Sequence, residues 1–178
     1  MQKLSINELD KIPSIELTLD LARRGRDIPD DHAQALLGTA LHEAAHVVGA
    51  LACKGGCVLA VLICQSARPR RRAAGEVNSG GNSDRDDAFM TLTGYAWEEL
   101  RGDIRRASDD LQGGKQIDRA NWEENLQNAR RFVVEQEQVI RYATVGILLL
   151  MTTTGRLDGK RMQKLVRWLR PQVPQYRF

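Results

Sequence analysis

The sequence predicts a mainly α fold with one small β-hairpin or ribbon. Two observations carry this. From Asp118 to Gly155 the apolar pattern is helical almost throughout, and the stretch "CVLAVLI" at 57–63 is β-branched, apolar and short enough for a buried strand.

Residues 7–24 read as a helix with Leu17, Leu19 and Leu21 as core positions, although Pro13 unsettles its start. "RRGRDIPDD" is a loop. Asp30 or Asp31 caps the next helix and Gly55-Gly56 ends it, so it runs from about 31 to 54. After the strand comes the basic loop "ARPRRRAAG", and "GEVNSGG" returns as a second strand. "SGGNSD" is a turn with a helix cap, and the helix it starts, about 84–101, opens on acids as the macrodipole favours. Ser108 caps a turn beginning "DDL", which "GGK" at 113–115 breaks. Residues 118–155 form one long helix or two abutting ones. The last helix is 157–169, with Leu165, Val166 and Leu169 apolar.

A chain of 178 residues suits one domain. At 42% apolar and 28% charged residues it is an ordinary globular chain, and a net charge of +3 is too small to argue for nucleic acid by itself. The N-terminus has no apolar core of a secretory signal, and "VGILLLM" is too short to cross a bilayer. The expected compartment is therefore cytoplasmic, with no membrane partner. Cys53, Cys57 and Cys64 cannot all pair, and "CKGGC" lacks two further ligands at a matching spacing. They read as reduced, buried small hydrophobes near a turn.

The chemistry sits in "TALHEAAHVVGAL". His42 and His46 are four apart, so on a helix they share a face and can chelate one metal ion. Glu43 lies between them, about 100° around from His42. This is the HExxH arrangement, whose Glu activates the attacking water. Leu36, Leu37, Ala40, Leu41, Ala44, Ala45, Val47, Val48 and Leu51 cover the rest of the helix, leaving Thr39, His42, Glu43 and His46 as its one polar stripe. A metal compensates imidazoles in such a place, where an unpaired charge costs several kcal/mol. The alternative is a pair of core histidines bonded to backbone, with Glu43 bridging to an arginine.

A zinc site needs a third protein ligand and an open position. Position 52 is Ala, so a third His six residues on is excluded. His32 is about 15 Å back along the helix and cannot reach. The ligand is then a downstream carboxylate: Glu98 or Glu99 in "GYAWEEL", or Asp109 or Asp110 in "RRASDDL".

"TALHEAAHVVGAL", "TGYAWEEL" and "RASDDL", in this order, resemble the FtsH-type metallopeptidases, the M41 family. The resemblance spans roughly residues 31–112, and "TGRLDGKRMQKLV" is more weakly similar to that domain's closing helix. It implies a helical, zincin-like peptidase domain. It implies zinc held by His42, His46 and Asp110, with Glu43 as general base. Asp109 takes the place of an Asn beside the ligand. Glu99, or Glu98, falls where the family has an acid next to the site. The expected organisation is a single metallopeptidase-like domain over 1–178: a helical appendage at 1–29, the metal-site region at 31–112 and C-terminal helices at 116–178.

The departures are specific. There is no GxxxxGK[ST], so no ATPase module and no ATP-driven unfolding are expected. Ala45 replaces the Gly of HEAGH, and "RPRRRAAGEVNSGG" replaces an apolar substrate-side strand. The expected function is an ATP-independent zinc endopeptidase acting on peptides or unfolded protein, its substrate held along the 57–79 strand pair. Tyr95 is a candidate oxyanion group. Two other functions compete: a catalytically inactive, metal-bearing protein-binding module, and a nucleic-acid-associated regulator using Arg68, Arg70, Arg71 and Arg72. That cluster reads first as a solvated loop. Trp97 and Trp122 read as core or interface.

Overall fold

The structure, a computed structural model, describes residues 30–64, 74–102, 108–151 and 155–176. The expected helix at 7–24 and the arginine loop at 68–72 lie outside them, as do the side chains of His32 and Cys64. The described elements are α1 (Asp30–Ala52), β1 (Cys57–Cys64), β2 (Ala74–Gly80), α2 (Asp84–Leu100), α3 (Ser108–Ile117), α4 (Trp122–Glu135), α5 (Glu137–Leu150), β3 (Arg156–Asp158) and α6 (Gly159–Leu169), then a single 3-10 turn at Arg170–Gln172. The fold is mainly helical with a small antiparallel sheet, as expected.

α1 is the central element. Ala40, Ala44, Ala45, Val47, Val48, Ala50, Leu51 and Ala52 are all fully buried. Its side chains are small, so α2, α5 and the sheet approach it from different sides. Thr93 of α2 shows how closely: a Cβ on Gly49 would lie 2.7 Å from its Oγ1. The helix stops at Ala52, and Gly55, at φ +76°, makes the turn that follows, where Gly56 N donates to Cys53 O at 3.0 Å. The carbonyls left over at the helix end and in the turn after it take donors from far along the chain. Gln175 Nε2 donates to Leu51 O at 3.1 Å, Tyr176 N to Ala52 O at 2.8 Å, and Arg170 to Gly56 O at 2.9 Å.

β1 and β2 form the expected hairpin, paired from Cys57↔Gly80 to Cys64↔Ala74 with a bulge between Val58 and Ala60. Val61 and Ile63 face the core, while Leu59 and Leu62 face out. β3 was not expected. Leu157 and Asp158 read as the start of the last helix, but they pair with Val61 and Ala60 on the free side of β1. Gly159, at φ +51°, turns the chain into α6 only after Leu157 is fully buried. The sheet order β2-β1-β3 leaves β2 at an edge.

Ser83 caps α2, its Oγ accepting from Asp86 N at 3.1 Å, with Asp84, Asp86 and Asp87 in the first turn. α3 overturns the turn-and-breaker reading: "GGK" lies inside a ten-residue helix, and Ser108 is its first residue. Packing against α2 overrides glycine's weak helix propensity. Within the expected 118–155 stretch, Trp122–Glu135 and Glu137–Leu150 form two abutting helices that part at Gln136. Phe89, Phe132 and Tyr176 join α2, α4 and the C-terminal segment, their ring centroids 5.3–5.5 Å apart. Full burial of a side chain such as Phe89 or Phe132 contributes about 1.5–3 kcal/mol. Among the described residues no helix is long and apolar enough to cross a membrane.

Candidate metal centre

The buried face of α1 carries its polar stripe against α2 and α3. His42 and His46 present their Nε2 atoms to each other at 3.1 Å, with the rings nearly perpendicular. Asp110, in the first turn of α3, places Oδ2 3.2 Å from His42 Nε2 and 3.5 Å from His46 Nε2. His46 Nδ1 donates to Met90 O at 2.9 Å. A carbonyl only accepts, so that nitrogen carries the proton and the Nε2 lone pair is left facing the cluster. His42 Nδ1 faces Glu98 Oε1 at 3.5 Å, too long for a strong hydrogen bond. Both His42 Nδ1 and Asp110 Oδ2 are buried without a hydrogen-bond partner.

These atoms fit a cation. Ligand bonds of about 2.0–2.1 Å at tetrahedral angles put ligand atoms about 3.3 Å apart. The three separations here are 3.1, 3.2 and 3.5 Å. Among the described residues, His42, His46 and Asp110 are the group of three that could hold a metal ion.

The electrostatics agree with a site built for positive charge. Burial disfavours charge on His42, yet the Asp110 and Glu98 carboxylates outweigh it and raise its pKa to about 10. Burial likewise favours neutral Asp110, but the His42 and His46 imidazoles beside it hold its carboxyl well below the usual range. Glu43 is 3% exposed, and burial pushes its carboxyl up against the pull of His46 and His42.

Two glycines make room for these groups. A Cβ at Gly75 of β2 would lie 2.1 Å from Glu43 Oε1, and one at Gly94 of α2 would lie 2.3 Å from His46 Nε2. The cluster opens into a cavity of about 450 Å³ walled by Glu43, Gly75, Glu76, Val77 and Met90.

The expected neighbours sort as follows. Glu98, not Glu99, faces the histidines. Glu99 is turned away and held bidentate by Arg130 at 2.6 and 2.7 Å, because adjacent helical residues diverge by about 100°. Asp109 is exposed and its Oδ1 lies 3.5 Å from Ser108 Oγ, outside the cluster. Tyr95 packs against the core and does not line the cavity. Trp97 is buried in the core, and Trp122 lies under Lys115 Nζ at 4.1 Å. Cys53 is buried as expected, but Cys57 is exposed at the start of β1. Sequence reasoning missed Gly75, Gly94 and the Met90 carbonyl. An isolated glycine within a helical pattern, as at Gly94, was the available signal of a close approach.

Glu98 is therefore the carboxylate placed to orient His42 if the cluster takes up a metal. Glu98→Ala is expected to weaken zinc binding about 10- to 100-fold, as loss of such partners does. Glu99→Ala should leave it unchanged. Titration against a chromophoric chelator measures both, and equal affinities would refute the assignment.

Fold and site together define a mainly helical protein with a His-His-Asp cluster able to hold a metal ion. No protein-family model, curated protein or solved structure matches the chain.

Proposed function

We propose that this chain is a zinc-dependent endopeptidase that works without ATP on peptides or unfolded segments. The observation that carries the reading is the convergence of His42 Nε2, His46 Nε2 and Asp110 Oδ2 on one point beside a buried Glu43. Imidazole and carboxylate suit zinc, and three protein ligands leave a position open. The resemblance to FtsH-type peptidases points the same way.

Zinc, when bound there, supplies Lewis acidity toward water and toward a peptide carbonyl. The chain's own residues do the rest. Glu43, its pKa raised by burial, takes the proton of the attacking water and delivers it to the leaving amine. Met90 O holds the His46 imidazole in orientation, and the Glu98 carboxylate faces the Nδ1 side of His42 at 3.5 Å. β2 is an edge strand whose Gly75, Glu76 and Val77 line the cavity, so an extended peptide can add to the sheet beside Glu43.

Metal quantitation tests the proposal. The purified chain is expected to hold one zinc, and His46→Ala and Asp110→Ala are expected to lose it. Uptake should strengthen as pH rises through neutrality, because the imidazole of His42 keeps its proton up to about 10 and must release it to a cation. A mildly purified wild type free of zinc that takes none up would sink the reading.

A further inference from the structure

We infer that Gly114 is a positioning residue: it sets how deeply α3 seats on α2, and so delivers the Asp110 carboxylate to the two histidines. The inference rests on the metal reading above. Asp110 and Gly114 are one helical turn apart and share a face of α3. Gly114 is the buried residue of that helix. A Cβ there would lie 2.5 Å from Leu92 Cγ and 2.7 Å from its Cδ2. Leu92 is fully buried in a close-packed core, so it has little room to retreat.

Carbon atoms settle at about 3.5–4.0 Å, so a methyl at 114 would lift α3 by roughly 1 Å. Metal ligands tolerate about 0.2 Å. The neighbouring glycine is different. A Cβ at Gly113 would meet only Thr91 Cγ2 at 3.3 Å, a tight contact that a shift of a few tenths of an ångström relieves. Both glycines sit in the same helix, and alanine improves helix propensity equally at both. Burial and the contact with Leu92 separate them.

The test measures zinc affinity by chelator competition in full-length wild type, Gly113→Ala, Gly114→Ala and Gly114→Ala/Leu92→Ala, with helical circular dichroism as the check on folding. Gly114→Ala is expected to bind about 10- to 100-fold more weakly with helix content kept, the range for disturbed ligand support. Gly113→Ala should match the wild type. The double variant, with Leu92 cut back, should recover most of the loss, which a general structural defect would not. Equal affinities for the two single variants, or no recovery in the double, would overturn the inference. Melting under excess chelator separates this failure from failure of the metal reading. If the wild type binds no zinc but Gly114→Ala still melts below Gly113→Ala, the metal reading falls and the seating of α3 on Leu92 stands. If that order is absent, the seating falls.

Discussion

Replacing Glu43 with Gln is expected to abolish peptide hydrolysis and to leave zinc in place. The amide matches the carboxylate in size, and Glu43 is buried against Gly75, where a carboxylate oxygen has no space to spare. None of the three converging ligand atoms belongs to Glu43, so the metal should remain. What disappears is a carboxylate base whose pKa burial raises, which favours proton transfer from water. Removing such a group costs about 100- to 10,000-fold in kcat. Cleavage of an unfolded reporter, with zinc measured in the same sample, reads both halves. Undiminished turnover in the variant would remove Glu43 from the mechanism. A wild type that holds zinc and cuts nothing would leave a metal-bearing binding module.

The second large effect comes from one methyl group. Gly94→Ala would place a Cβ 2.3 Å from His46 Nε2, 2.4 Å from its Cε1 and 2.9 Å from His42 Cε1. The His46 ring cannot simply swing aside, because its Nδ1 is held by the Met90 carbonyl. Both imidazoles must move, and a displacement near 1 Å costs on the order of 100-fold in rate. Zinc affinity and turnover should fall together. Helix propensity acts in the opposite direction, stabilising the alanine variant by about 1 kcal/mol, so lost binding in a variant that melts no lower isolates the steric cause. Unchanged affinity would mean that the rings do not lie against Gly94 as the structure has them.

How much of this was legible in the sequence depends on the range of the signal. The helix bearing His42 and His46 was visible because caps, periodicity and the four-residue spacing are local. The hairpin was visible because β-branched residues and glycines punctuate it. The third strand was not: Arg156–Asp158 is three residues long and exists only because β1 has a free side to pair with. "GGK" looked like a breaker because propensity argues about an isolated helix, whereas α3 is held by α2. Residue types alone left four carboxylates open as partners of the histidines; the family resemblance singled out Asp110, and the structure brings Asp110 to the cluster. Between Glu98 and Glu99 the sequence had no means of choosing. One residue of helical rotation decides it, and Arg130, 31 residues on, takes up the other side chain.

The carbonyls at the end of α1 have a consequence for the order in which the molecule is made. Leu51 O waits for Gln175, 124 residues later. At a synthesis rate of about 5–20 residues per second, the helix leaves the ribosome roughly 6 to 25 s before the residues that finish it. Asp110 arrives about midway. The two histidines thus spend the first part of that interval as an incomplete pair on a greasy, unfinished helix. The nascent chain carries the apolar face of this helix and its two imidazoles uncovered in the same place, at the same time.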